Sequence, residues 1–273
     1  MSGLLPASPG PRFDPSKPHP ARVYACWLGG KDHYSADRKA AEDVIRQRPQ
    51  VVAGARANRA FLARVVRYLA RECGVRQFLD IGTGLPAPNS THEVAQAIDP
   101  GCRVVYVDND PLVLVHARAL LTSVPPGCCD YLDTDLRDTP AILTGAARTL
   151  DFTQPVAVLL LAVLHFIPDA DNPAGITAAL ASALAPGSYL AISHLTSDFA
   201  PGPVTAGIAA YNTLVPTGLT ARTHTQVTAL FTGLPLVPPG VVPVAEWRPT
   251  LTSAWEQPAD LHAGVARVPG GRM

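Results

Sequence analysis

Asp80, Asp108 and Asp135 lie 28 and 27 residues apart, and the first is followed by the turn Gly82-Thr83-Gly84. An ionised carboxylate only accepts hydrogen bonds and has about four lone-pair sites, so Asp108 can take both hydroxyl hydrogens of a ribose. Glycines at a turn let backbone approach a ligand closely. Asp135 is placed to receive an adenine amino group, with Leu136 packing beside it. His165 and His194 each follow an apolar run, and imidazole can take a proton near neutral pH.

Gly82-x-Gly84-x-x-Ala87 matches a dinucleotide fingerprint literally. A pyrophosphate held there would lie beside the Asp80 carboxylate, however, and Pro86 and Pro88 remove two amide donors. A ligand carrying an ammonium and a sulfonium is instead attracted by Asp80, by a few kcal/mol at intermediate dielectric. S-adenosylmethionine is therefore the expected cofactor. An NAD(P)-dependent oxidoreductase is the lesser alternative, opposed further by the absence of a Tyr-x-x-x-Lys pair.

The elements that must position these residues follow from hydrophobic pattern. Phe78, Leu79 and Ile81 predict a strand, as do Val104–Val107, Asp130–Asp133 and Tyr189–Ser193. Val156–Leu164 is apolar throughout, as befits a central parallel strand, and delivers His165 to the sheet's carboxyl edge. Leu236–Val242 and Gly264–Val268 suit an antiparallel edge pair. Helices are expected over Ala36–Arg48 after Ser35, Val51–Cys73, Pro111–Leu121 and Asn172–Leu184, and near Val204–Tyr211 and Thr225–Thr232. Repeated βα units of this kind bind ligands at strand carboxyl ends, where the three aspartates and two histidines fall. On the helix over Val51–Cys73, Phe61, Leu62, Val65, Val66 and Leu69 share one arc. Arg56, Arg59, Arg64, Arg67 and Arg71 occupy the other, expected to be solvated.

With 273 residues, 47% of them apolar, the chain can bury one α/β domain with an appendage. Its formal net charge of zero argues against a dedicated nucleic-acid surface. The five cysteines include no C-x-x-C pair, so neither a disulfide framework nor a zinc site is indicated, and a reducing cytoplasm fits. The longest apolar run, nine residues at Val156–Leu164, falls short of the ~20 that span a bilayer. Six prolines among the first twenty residues suggest an unstructured leader over 1–20, then a helical lid or cap over 21–73 and a core over 74–273. Within the cap, Trp27 to Arg38 joins Gly29-Gly30 to Lys31, Asp32, His33, Tyr34 and Arg38. That density of polar and aromatic types reads as a lid over cofactor or acceptor.

Taken together, the segments Pro20-ARVYACWLGGKDHYSADR-Lys39, Asn58-RAFLARVVRYLA-Arg71, Gln77-FLDIGTGLPAPNSTHEVAQ-Ala97, Val104-VYVDNDPLVL-Val115, Thr134-DLRD-Thr139, Pro155-VAVLLLAVLHFIPD-Ala170 and Gly187-SYLAISHLTSD-Phe199 carry a resemblance. The chain resembles the S-adenosylmethionine-dependent methyltransferase family formerly called domain of unknown function 574, from Asp14 onward. The resemblance implies an α/β, Rossmann-like class I methyltransferase fold, with a seven-stranded, mostly parallel sheet whose last strand is antiparallel. It implies Asp80, Gly82, Thr83 and Gly84 as the methionine-side loop, Asp108 and Asn109 as the ribose contact, and Asp135 and Leu136 as the adenine contact. Leu164 and His165 would form the wall near the methyl group, and Tyr24, Gly30 and His33 would reach the cofactor from the lid. His33 departs from the family's usual asparagine.

Methyl transfer from a sulfonium requires alignment and a dry pocket but no metal. If the acceptor is a hydroxyl or a protonated amine, a base is needed too, and His165 and His194 are the candidates. The segment Leu164 to Asp169 resembles the Leu-His motif of small-molecule O-methyltransferases and lacks the Asn/Asp-Pro-Pro-aromatic string of enzymes acting on base or glutamine amide nitrogens. A small-molecule acceptor is expected, with a non-catalytic S-adenosylmethionine-binding module read by a partner as the alternative.

Overall fold

The computed structural model describes residues 14–120, 126–249 and 259–270. Helices α1 (Pro20–Trp27), α2 (Ser35–Gln47) and α3 (Val51–Arg71) precede a run of alternating strands and helices. That run comprises β1 (Gln77–Ile81), α4 (Thr91–Gln96), β2 (Arg103–Asp108), α5 (Pro111–Leu120), β3 (Cys128–Asp133), α6 (Thr139–Ala146), β4 (Ala157–Leu161), α7 (Pro173–Ser182) and β5 (Tyr189–Leu195). Helices α8 (Pro201–Leu214) and α9 (His224–Ala229) and strands β6 (Val242–Pro243) and β7 (Leu261–Arg267) complete it. Seven strands form one sheet in the order β3-β2-β1-β4-β5-β7-β6, parallel from β3 through β5, with β7 antiparallel to both β5 and β6. The order reverses beside β1, which puts the ends of β1, β2 and β4 around one crevice.

Side-chain alternation divides the core. Phe78 and Val104 point to the face covered by Phe61, Leu69 and Trp247. Leu79 and Val105 point to the other face, with Ile142, Leu180 and Phe231. Both layers are buried, which is why β1, β2, β4 and β5 read as near-continuous apolar runs. Each fully buried Leu, Val or Phe here contributes about 1.5–3 kcal/mol. A third, smaller cluster joins Val23, Ala40, Val44 and Val51 to Tyr211 and Val215, so α1 and α2 dock on α8 above the sheet edge.

Several expectations need correction. Strand β4 stops at Leu161 because Ala162 turns to φ 54°, and Leu164–Phe166 forms a 3-10 turn instead of extending the strand. The strand expected over Leu236–Val242 is reduced to a bridge at Leu236 and the pair Val242–Pro243. Pro238 and Pro239 interrupt it, since proline donates nothing to a ladder. Its partner β7 begins at Leu261 and lies between β5 and β6, so the edge falls to β6. The leader is described only from Asp14 onward, and Pro20 already opens a helix capped by His19. On α3, Arg64 is not solvated: it is 6% exposed, and its guanidinium donates to the carbonyls of Trp247 and Val244 at 3.1 and 2.7 Å.

Candidate functional site

A cavity of about 200 Å³ opens over the carboxyl ends of β1, β2 and β4 and is roofed by α1, α2, α3 and α8. Asp80 ends β1 almost fully buried, and Thr91 Oγ1 donates to its Oδ2 at 2.6 Å. Burial pushes the Asp80 carboxyl up to about 6, against the opposing effects of the Thr91 bond and the Arg59 charge. After it, Gly82 at φ 74° and Gly84 at φ 66° turn the chain through backbone that L side chains rarely adopt. A Cβ on Gly82 would lie 2.3 Å from Val163 Cγ2, so this turn and the one after β4 are in direct contact.

Asp108 ends β2 as the buried centre of the site. The Gly84 amide donates to its Oδ2 at 2.8 Å and the Asp110 amide to its Oδ1 at 3.0 Å. One lone pair per oxygen is thereby committed, and each oxygen keeps another for a ligand hydroxyl. Burial raises the Asp108 carboxyl, while these two amides pull it back down. Asp135 follows β3: Asn109 Nδ2 donates to its Oδ2 at 2.9 Å and the Arg137 amide to its Oδ1 at 2.8 Å. Burial works against its charge, but those bonds and the Arg137 guanidinium hold it below the usual carboxylate range. Thr83 and Leu136 also line the cavity.

The N-terminal residues reach the site differently from the sequence expectation. Tyr24 lines the cavity, its hydroxyl donating to the Ala55 carbonyl at 2.9 Å and receiving Asn58 Nδ2 at 3.1 Å. Gly30 is exposed and outside the wall, and His33 faces Arg38 at 3.4 Å instead of the cavity. The N-terminal share of the roof is α1, not the Gly29-Gly30 loop. His19 pairs with Asp110 at 2.9 Å, and Ala21, Tyr24 and Trp27 fall at near-helical spacing on the wall. That spacing was the available signal, overshadowed by the density of polar and aromatic types from Trp27 to Arg38. Arg59 also lines the cavity and donates to the carbonyls of Ala87, Pro88 and Asn89 at 3.0–3.4 Å, pinning the loop after the glycine turn.

The two histidines have separate fates. His165 lies in the 3-10 turn and lines the cavity; its Nδ1 is buried without a partner among the described residues. Burial lowers its pKa well below the ordinary range, and His194, Arg222 and Arg48 add to the effect, so the ring is neutral. His194 is wholly buried and off the wall, and both ring nitrogens are engaged, one with the Leu195 carbonyl and the other with Arg222. Leu164 is likewise off the wall, buried in the core, and Ala162 and Val163 stand in its place. Sequence reasoning did not find Arg48, Phe166, Ile208 and Tyr211, which line the roof side. Among the described residues there is no group of three His, Cys, Asp or Glu side chains that could hold a metal ion, and no helix long and apolar enough to cross a membrane.

A parallel sheet closed by an antiparallel strand, with carboxylates at successive strand ends under a helical roof, defines a class I methyltransferase. Over residues 6–269 the chain matches the family model described as S-adenosyl methyltransferase, and it belongs to that family. A DUF574 family protein from Streptomyces avermitilis is 41% identical, covering 94% of this chain and 100% of its own, with a TM-score of 0.92. A candidate methyltransferase from Thermobifida fusca is 39% identical over 97% of this chain and 100% of its own, at a TM-score of 0.85. Human N-acetylserotonin methyltransferase, solved with S-adenosylmethionine, shares the fold at 16% identity and a TM-score of 0.51, covering 95% of this chain and 72% of its own. A search of curated proteins finds no match. The protein is an S-adenosylmethionine-dependent methyltransferase, and the NAD(P) alternative falls with that finding. The site's chemistry fits the cofactor: the spare lone pairs of Asp108 suit a ribose, and Asp80 is a buried carboxylate to which no cation among the described residues is hydrogen-bonded.

Proposed function

We propose that the protein methylates a small organic acceptor, with His165 receiving the acceptor's proton. The observation that carries this reading is that His165, in the turn after β4, lines the same cavity as Asp80, Asp108 and Asp135. Bound S-adenosylmethionine supplies an electrophilic methyl carbon on a sulfonium. The protein's share is alignment, exclusion of water and a place for the proton.

In this reading Asp108, with Asn109 beside it, holds the ribose hydroxyls, while Asp135 and Leu136 hold the adenine. Asp80 pairs with the ammonium and the backbone of Gly82, Thr83 and Gly84 carries the methionine end. Tyr24, tied to Ala55 and Asn58, closes the roof. His165 is neutral and therefore able to accept a proton from a hydroxyl or an ammonium. His194 positions the turn and does not face the acceptor. The small size of the acceptor is supported by a roof that closes over the crevice through four helices.

The test is release of S-adenosylhomocysteine by the wild type and by His165→Ala when a panel of small hydroxyl and amine compounds is added. Acceptor-dependent release by the wild type, lost in a folded His165→Ala that still binds S-adenosylhomocysteine, is the expected result. Release only with a protein or nucleic-acid acceptor would overturn the proposal.

A further inference from the structure

The cavity has a second half that the residues assigned to the cofactor do not use. Away from Asp80, Asp108 and Asp135 its wall is formed by Trp27, Val51, Phe166, Ile208, Tyr211 and Leu219. None of these is charged. The cation on this side, Arg48, is held by buried Asp260 at 2.9 Å from Nε and 2.7 Å from Nη2, so its charge is neutralised within the protein. Arg59 and Arg137 line the other half and are committed to loop carbonyls and to Asp135 and Asp171.

Two residues of this wall carry a buried polar atom that has no protein partner among the described residues: His165 Nδ1 and Tyr211 Oη. Tyr211 is 1% exposed and His165 8%. Buried polar atoms are almost always hydrogen-bonded, so two unpaired ones in residues that line this largely apolar half point to a ligand group that settles against them. A phenol can donate and a neutral imidazole can accept, which together suit a hydroxyl. The rings are also bunched. Phe166 meets His165 edge-on with centroids 4.4 Å apart and lies 6.3 Å from Tyr211 at a 36° tilt, an arrangement that favours another ring over an aliphatic chain.

We propose that this half of the cavity binds a neutral, planar aromatic compound bearing a hydroxyl group. The proposal rests on the methyltransferase reading above and names its acceptor class. An ammonium ligand would be buried beside Arg48 without a carboxylate to pair with, which is unfavourable. A carboxylate ligand would have to compete with Asp260 for Arg48. A neutral hydroxyl meets neither cost.

The experiment is calorimetric titration of the full chain, saturated with S-adenosylhomocysteine, with 2-naphthol, 2-naphthoate and 2-naphthylmethylammonium. 2-Naphthol should bind at least ~10-fold more tightly than either charged analogue, the factor that about 1.4 kcal/mol represents. Tyr211→Phe should weaken 2-naphthol by roughly 3- to 10-fold, the loss of one neutral hydrogen bond, with the affinity for S-adenosylhomocysteine unchanged. Ile208→Trp, on the half-buried side of α8, should abolish 2-naphthol binding by filling the space and spare S-adenosylhomocysteine. Equal or tighter binding of either charged analogue, or no effect of both substitutions, overturns the acceptor class. Failure of S-adenosylhomocysteine itself to bind overturns the cofactor placement, and the acceptor class with it.

Discussion

Arg222 Nη1 donates to His194 Nε2 at 2.7 Å, while His194 Nδ1 donates to the Leu195 carbonyl at 2.7 Å. An imidazole that gives one hydrogen and receives another is neutral, and burial pushes His194 down to about 4, helped by the Arg222 charge. The same guanidinium donates to the carbonyls of Leu164 and Ile167 and to Asp169 Oδ1. It thus laces the turn after β4, which carries His165, to the end of β5. The ring centroids of His165 and His194 stand 5.8 Å apart, yet only His165 meets the cavity. One histidine is consumed as a strut for the other.

Arg222→Met should therefore reduce turnover without weakening the cofactor. It strands the Ile167 carbonyl and His194 Nε2, while the Leu164 carbonyl keeps the Ile167 amide, at about 1–3 kcal/mol for each buried group left unsatisfied. At roughly 2–4 °C per kcal/mol for a domain of this size, melting should fall by about 4–24 °C. At a temperature where the variant stays folded, kcat should drop while the Kd for S-adenosylhomocysteine stays within about twofold. An equal loss in both would mean that the lacing supports the whole sheet edge.

His165→Ala should lower turnover by ~10²–10⁴-fold, the usual reach of general-base catalysis. The pH dependence is the sharper readout. Because burial holds His165 well below its ordinary value, the base form persists through neutrality, and the rate falls only in acid. A flat kcat between about pH 6.5 and 8 is expected. Stability shifts in the same direction: for His165 and His194 the unfolded chain binds protons first, so stability drops as pH falls below about 6.5, for His194 continuing toward about 4. A kcat that climbs through pH 7 would assign the base to another group.

Asp108→Asn should weaken S-adenosylmethionine at least ~10-fold, since hydrogen bonds to a charged acceptor contribute about 1.5–3 kcal/mol each. Its effect on folding is opposed. The variant loses a buried charge but turns an amide NH₂ toward the Gly84 or Asp110 N–H, two donors facing one another. Calorimetry alongside thermal melting separates these, and unchanged affinity would remove Asp108 from the ribose site.

The part of the site that repeats with the βα period was legible in the sequence. Asp80, Gly82, Gly84, Asp108 and Asp135 sit at strand ends because strand and helix lengths are local properties. What was hidden depends on long-range docking. No helical wheel shows that the Arg64 guanidinium reaches carbonyls at 244 and 247, or that α8 lays Tyr211 over the crevice. A long arginine stem can cover apolar surface while its head finds buried carbonyls. His33 and Gly30 looked chemical by type, yet the helical period of α1 turns Ala21, Tyr24 and Trp27 inward instead. His194 misled for a related reason: a strand end fixes where a side chain begins, and only its neighbours decide which nitrogens stay available.

Gly82→Ala should destabilise the protein and weaken the cofactor together. The added methyl meets Val163 at 2.3 Å, on backbone at φ 74°. Val163→Gly in the same chain removes both atoms the methyl meets, Cγ2 at 2.3 Å and Cβ at 2.7 Å, and leaves the backbone strain, about 1–3 kcal/mol. The double variant should therefore be more stable than the sum of the single effects predicts, by ~1 kcal/mol or more in a double-mutant cycle. Strict additivity would show that Val163 yields freely and that the two turns are not coupled.

Asp80 links cofactor binding to pH in a direction the structure fixes. Its folded value, about 6 against an ordinary 3.8, is raised by burial, so its contribution to stability is fully present below about 3.8 and is lost as pH rises through about 6. At pH 7.5 the ionised carboxylate is a cost in the cofactor-free protein of at most about 3 kcal/mol, from 1.36 kcal/mol per pKa unit. Asp80→Asn keeps an oxygen for Thr91 and sheds that charge, so the cofactor-free variant should melt roughly 2–6 °C higher than wild type at pH 7.5. The gap should narrow as pH falls below about 6 and close near 3.8. Affinity should move the opposite way, because the ammonium of S-adenosylmethionine needs the ionised form. Wild-type binding should be level above about pH 6.5 and weaken up to tenfold per pH unit below about 6, whereas Asp80→Asn should bind more weakly and without that dependence. Thermal melts and titrations at pH 5, 6 and 7.5 on both proteins decide it. A variant that binds S-adenosylmethionine as tightly as wild type at pH 7.5 would place the ammonium elsewhere.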